Sequence, residues 1–260
     1  MRQFENRFVT SETSFIDMAW WNACVDANCA PLVTNHSLPV WLGIDASVKR
    51  DSTCIVAVTW DDKLGKVRLV NHRIFQPSAN EPLDFEATIE TTVREWRSRF
   101  AVRRVLYDPY QMASTAQRLQ SSGVPMKEFP QSVPNLTAIG SNLYELIKGG
   151  NIIAYPDANI QRSIAHSIAK ETSRGFQITK EKSSHKIDFT IALAMAAYEC
   201  VQHAHVEELP LVAPILFDAA TGATISGPGR GPERWRPYLI APERSYGLPF
   251  PTRDRWSPYW

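Results

Sequence analysis

The stretch Val40-Trp41-Leu42-Gly43-Ile44-Asp45-Ala46-Ser47 decides how the chain is read. It is apolar and β-rich, as a buried strand should be, yet it carries a carboxylate, Asp45, in what reads as the middle of the strand. Aspartate is depleted in strands and costly to bury without compensation. A bound cation would compensate it. So would backbone amides of a following turn, if Asp45 instead closes the strand. On this stretch alone both explanations stand.

Two more β-rich runs follow, STCIVAVTW (52–60) and KVRLVNHRIF (66–75). Short polar turns at 48–51 and 61–65 join the three, which is the spacing of consecutive antiparallel strands. Phe85, Ile89, Val93 and Trp96 then recur at helical spacing. VRRVLYD (102–108) is a compact strand closed by Pro109, and the helix after it stops at Gly123. VPMKEFPQ (124–131) predicts a strand, the segment 137–150 a helix ended by Gly149-Gly150, and NIIAYP (151–156) a short strand. ANIQRSIAHSIAKE (158–171) predicts a helix, GFQITK (175–180) a hairpin arm, and HKIDFTIALAMAAYECVQHAH (185–205) a long helix that is apolar nearly all round and therefore buried. Three meander strands followed by alternating helices and strands predict a mixed α/β sheet with helices on both faces, the element order of an RNase H-like fold.

The 260 residues suit one such domain with extensions: a lead-in over 1–38, the α/β domain over 39–207 and a tail over 208–260. The lead-in has too few apolar residues for a core of its own. Nine of the 18 prolines lie in the tail, together with Trp235, Trp256 and Trp260, and no periodicity is visible there. Apolar residues make up 44% and charged residues 21%, which speaks against extensive disorder. A net charge of +1 excludes bulk electrostatic coating of nucleic acid or of an anionic membrane, though not a local basic patch. The longest apolar run is too short for a bilayer span and no leader is visible, so a soluble, unexported chain is expected. Four cysteines without CxxC spacing fit a reduced chain and make a zinc site improbable.

Two more aspartates join Asp45. Asp108 falls at the carboxyl end of a strand, where ligands of open α/β sheets gather, although Asp-Pro is also a common turn starter. Asp188 opens the last helix, a position that capping and the helix dipole favour in any case. Together the three come from the first strand, a strand that would pair beside it, and the closing helix. Such a triangle of hard oxygen ligands suits one or two Mg²⁺ or Mn²⁺ ions about 4 Å apart, able to drive in-line attack on a phosphodiester. No His, Cys or Ser nucleophile stands out.

The chain resembles the nuclease domain of the large terminase subunit of tailed bacteriophages, the motor that cuts and packages viral DNA. The resemblance runs from the N-terminus to about residue 203. It rests on FENRFVTSETSFIDMAWWNAC, which looks like the linker leaving the ATPase domain, on GIDAS followed by Asp51, and on VLYDPYQ. It rests further on QSVPNLTAIGSNLYELIKGG (131–150) and on KEKSSHKIDFTIALAMA. It implies that Asp45, Asp108 and Asp188 are the three metal-binding and catalytic acids. Asp51 falls near a further acidic position of some members, and either binds the second metal through water or only shapes its turn. The resemblance also implies double-stranded DNA as substrate and an ATPase domain or subunit, a small terminase subunit and a portal as partners. The place of action would be the cytoplasm of an infected bacterial host. A GxxxxGK[ST] loop is absent, so a separate nuclease half that cannot translocate DNA unaided is expected.

Between Arg162 and Lys186 six basic residues, Arg162, Lys170, Arg174, Lys180, Lys182 and Lys186, face two acidic ones, Glu171 and Glu181. Because the run ends at Asp188, DNA contact is expected for Lys180, Lys182 and Lys186. His185 is either a solvated loop residue or a DNA or leaving-group contact. His166, on a helix with Ile164 and Ile168, reads as structural. Two other functions stay open: an RNase H-like nuclease for junctions or RNA–DNA hybrids, and a non-catalytic docking module of a packaging complex.

Overall fold

The structure, a computed structural model, describes residues 13–47, 52–77, 83–172, 175–180, 182, 185–204, 216–217 and 224–225. The chain divides into two compact units, residues 1–207 and 208–260. In the second, Leu216–Phe217 and Thr224–Ile225 form a short antiparallel ladder. The rest of the Pro/Trp-rich tail lies outside the described residues, as do Asp51, Arg174 and the first twelve residues.

The first unit is built on a six-stranded mixed sheet. Its strands are β2 (Asn35–Asp45), β3 (Thr53–Asp61), β4 (Lys66–Phe75), β5 (Phe100–Tyr107), β6 (Met126–Glu128) and β7 (Ile152–Ile153), in the spatial order β6-β5-β2-β3-β4-β7. Strands β2, β3 and β4 form the antiparallel meander, while β5 joins β2, β6 joins β5 and β7 joins β4 in parallel. At the β3–β4 turn Asp61 Oδ1 accepts from the backbone N–H groups of Lys63 and Leu64, both at 3.1 Å, and Gly65 takes the left-handed φ of +63° that closes the hairpin.

Strand periodicity builds two cores. Val40, Leu42, Ile44, Ile55, Ala57, Val105 and Tyr107 point to one face, where they meet Ile89, Val93 and Trp96 of the helical segment ending in α2 (Thr91–Arg99) and Ala116 and Leu119 of α3 (Ala113–Ser121). A single π-turn, Glu86–Glu90, leads into α2. Trp41, Cys54, Val56, Val58 and Leu106 point to the other face, against α4 (Val133–Lys148), α5 (Ala158–Ala165) and α6 (Asp188–His203). The lead-in joins this second core: Phe15, Ile16, Trp21 and Cys24 are buried in it, the last two on α1 (Met18–Cys24).

The closing helix α6 contacts β2, β3, α4 and α5, which explains why its sequence is apolar nearly all round. Its buried carboxylate at Glu199 is ion-paired with Arg104 of β5 and Lys127 of β6 and meets His203 Nε2, all at 2.9–3.1 Å. Two cations and an imidazole on one buried carboxylate offset the cost of burying it, and the two cations tie the helix to the sheet. No helix among the described residues is long and apolar enough to cross a membrane.

One expectation fails. The helix predicted over 158–171 ends at Ala165, and Ser167–Thr172 is a strand, β8, paired antiparallel with β9 (Gly175–Lys180) and, on its other edge, with β1 (Thr13–Ser14). The apolar spacing of Ile160, Ile164 and Ile168 continues through the break, so periodicity could not locate it. Hydrogen bonds decide it instead: His166 caps α5, and Ser167 and Ile168 are buried where the ladder with Lys180 and Thr179 begins.

Candidate metal and nucleic-acid site

Asp45 is the last residue of β2, not its middle. Because Trp41 and Gly43 face α6, the alternation of the strand sends Asp45 to that same face. Tyr107 pairs with Ile44 in the parallel β2–β5 register, so Asp108, one residue beyond β5, lies level with Asp45. It also continues the α6-facing set of Arg104 and Leu106. Asp188 is the first residue of α6.

Gly43 sets the distance between helix and strand. A Cβ there would stand 2.1 Å from the Ala192 carbonyl oxygen and 2.9 Å from the Ala196 nitrogen. Small residues on both sides thus let the two backbones touch. Asp188 precedes Ala192 by one helical turn, about 6 Å, and Asp45 follows Gly43 by two strand residues, about 6.6 Å. The close approach therefore carries both carboxylates to one end of the sheet. Cys54 lies opposite Asp45 in the β2–β3 register; burial pushes its thiol well up, and the charges of Asp188 and Asp45 push it the same way. Both carboxylates are thus within electrostatic reach of one buried sulfur.

The polar neighbours are specific. Ser52 Oγ donates to Asp188 Oδ2 at 2.5 Å, and both residues are buried. Gln131 Nε2 donates to Asp45 Oδ1 at 3.1 Å, a side-chain partner from far along the chain. Asp108 Oδ1 accepts from the Tyr110 backbone N–H at 3.3 Å, in a loop where Gln111 adopts φ +65°, a conformation non-glycine residues rarely take. Neither Ser52 nor Gln131 carries a local signature that sequence could have used. Their role depends on segments 136 and 86 residues away.

Among the described residues, no group of three or more His, Cys, Asp or Glu side chains is gathered closely enough to hold a metal ion. The fold brings Asp45, Asp108 and Asp188 to one end of the sheet, but their carboxylates are turned to separate partners. Their chemistry nevertheless fits a hard divalent cation, since every donor is a carboxylate oxygen and the neighbours Ser52 and Gln131 are neutral.

The basic residues split between two surroundings. Lys180, at the end of β9, pairs across the ladder with Ser167, whose Oγ bonds Thr190 in the first turn of α6 at 3.1 Å. The chain at Lys180 is thereby held near the α6 N-terminus. Lys182 is exposed, and its carbonyl accepts from the His185 N–H. His185 stacks on His166 with ring centroids 3.8 Å apart and planes at 13°, so it is packed rather than a freely solvated loop residue. Lys186 lines a cavity together with Asp188.

A mixed sheet of this order with helices on both faces is an RNase H-like α/β fold. Several solved structures share this fold. The large terminase of bacteriophage HK97 superposes with a TM-score of 0.60 at 15% identity, over 73% of this chain and 44% of that one. The large terminase nuclease of thermophilic phage G20c with bound magnesium gives 0.55 at 13%, over 73% of this chain and 98% of that one, and was also solved with bound cobalt. The large terminase of another thermophilic bacteriophage gives 0.54 at 14%, over 76% of this chain and 46% of that one. The chain thus spans nearly all of an isolated terminase nuclease domain and under half of a whole large terminase. No family model and no curated protein matches the sequence.

Proposed function

We propose that this chain is a metal-dependent DNA endonuclease of a phage DNA-packaging terminase, cutting concatemeric viral duplex DNA by two-metal-ion phosphodiester hydrolysis. The observation that carries the reading is the common placement of Asp45, Asp108 and Asp188 at one end of the sheet, in a fold whose neighbours are terminase nucleases. These three would hold the ions, with Asp51 as a further ligand. Bound Mg²⁺ or Mn²⁺ would supply an activated water and charge stabilisation for the leaving 3′-oxygen.

The chain's own residues do the rest. Ser52 orients the Asp188 carboxylate, Gln131 orients that of Asp45, and the contact at Gly43 fixes the helix that bears Asp188. Lys180, Lys182, His185 and Lys186 hold the phosphate backbone beside the acids. Translocation falls to an ATPase domain or subunit outside these residues, and a small terminase subunit and the portal complete the machine in the cytoplasm of the infected host.

Cleavage of linear duplex, four-way junction and RNA–DNA hybrid, each with Mn²⁺, with Mg²⁺ and with EDTA, tests this. Metal-dependent cutting of the duplex is expected, with the junction and hybrid no better. Preference for the junction or the hybrid would move the chain to another RNase H-like nuclease; no cutting in any metal would favour a docking module.

A further inference from the structure

Beside Asp188, on the α5 side, lies a cavity of about 330 Å³. Its polar wall is formed by Ser52, Gln76, Arg162, His166 and Lys186, and Phe189 and Ile74 supply an apolar patch. At the lower end of the usual range for small-molecule sites, it admits one nucleotide and excludes a duplex. Two cationic side chains, an imidazole, two amides and two hydroxyls line it together with the Asp188 carboxylate, an arrangement that suits a phosphate on the Arg162 and Lys186 side with its ester bond toward the acid.

Arg73, Arg94, Arg99, Arg104 and Arg118 are each ion-paired with a glutamate. Arg68, Arg97 and Arg162 bond neutral acceptors instead, and of these three it is Arg162 that lines the cavity beside Asp188, its guanidinium donating to Asn159 Oδ1 at 3.4 Å. The helix beneath it is anchored to the acid site. Ser163, the next residue, shares a 3.0 Å hydrogen bond with Thr190 and accepts from the Thr190 N–H at 3.3 Å. His166, stacked on His185, forms a fixed wall. Arg162 is thus a cation on a rigid mount, one hydroxyl network away from the first turn of α6.

We infer that this cavity seats one nucleotide of the cut strand next to the scissile bond, with its phosphate on Arg162 and Lys186 and its sugar against Ile74. The inference rests on the nuclease reading and deepens it. Arg162 is then a substrate-positioning residue that a scan for metal ligands would overlook. A fork-shaped guanidinium suits a phosphate better than a point charge does, so lysine should replace it only in part.

The test uses the full chain in Mn²⁺ with linear duplex. Arg162→Ala should raise KM about tenfold while changing kcat less, and should flatten the plot of log affinity against log salt by about one unit, as expected for one lost phosphate contact. Arg162→Lys should recover part of the KM loss. Lys63→Ala, in the distant β3–β4 turn, should match wild type. A 5′-phosphorylated thymidine dinucleotide should inhibit wild type competitively and inhibit Arg162→Ala about tenfold more weakly. If Arg162→Ala keeps the wild-type KM, salt slope and inhibition while Asp45→Ala is inactive, the subsite is overturned and the nuclease reading stands. If wild type itself neither cuts nor binds DNA, both fall together.

Discussion

Asp188→Ala should abolish metal-dependent DNA cleavage, by three orders of magnitude or more, while the protein stays folded. The magnitude follows from the role: a metal clamp contributes several kcal/mol to the transition state, and each ~1.4 kcal/mol is tenfold in rate. Folding should survive because Asp188 opens α6 and does not brace its middle. Its favourable interaction with the helix dipole is worth about 0.3–1 kcal/mol, and loss of the Ser52 bond adds about 1 kcal/mol. Asp188→Asn keeps the shape and can still accept from Ser52, so it should be nearly as inactive but closer to wild type in stability. Plasmid nicking with Mn²⁺, alongside circular dichroism of both variants, checks this. Cleavage by either variant within tenfold of wild type would remove Asp188 from the site.

Gly43→Ala should be the most damaging single methyl in the sheet. The added carbon would stand 2.1 Å from the Ala192 carbonyl oxygen, and a backbone atom cannot swing aside as a side chain can. The helix must lift off β2, opening the core that Ala192, Ala196 and Leu106 share. Overpacking in a well-filled core costs about 1–3 kcal/mol and sometimes more; a main-chain collision belongs at or above the upper end of that range. Against a total stability of about 5–15 kcal/mol, the urea midpoint should fall sharply. Activity of the folded fraction should fall too, because the displaced helix carries Asp188 away from Asp45. An unchanged midpoint would mean that helix and strand are not in backbone contact at Gly43.

The same glycine shows what could be read from sequence and what could not. The alternation of VWLGIDAS, the two strands after it and the apolar closing helix sufficed for the mixed sheet, because periods of 2 and 3.6 are local properties. The 158–171 segment did not yield to that reasoning. Its apolar spacing suits a helix throughout, and the switch to strand at Ser167 comes from pairing with β9 and β1, which is not local. Asp45 was legible as an anomaly but misplaced within its strand, since nothing local marks where β2 ends. Ser52 and Gln131 were invisible for a related reason: each reaches its aspartate across a separation that only the folded sheet closes. The basic stretch was legible as charge, yet its division between the chain near Lys180 and the cavity at Arg162 needed the α5–β8 break.

The near-neutral net charge acquires a physical meaning from this arrangement. A value of +1 conceals acids gathered at one end of the sheet and cations in the segment that leads to α6. Such a juxtaposition suits a polyanion that must be brought to a cation site: in the proposed reading lysines would hold the backbone while carboxylates would hold the ions.

Everything in this mechanism turns on Asp45, Asp108 and Asp188 together holding a divalent metal. Isothermal titration of Mn²⁺ into the wild-type chain and into Asp45→Ala, with no DNA present, tests it most directly. Saturable binding at or below millimolar Mn²⁺, lost or weakened at least tenfold in Asp45→Ala, is the expected result. Absence of binding to wild type at millimolar Mn²⁺, or equal binding by both proteins, would contradict it.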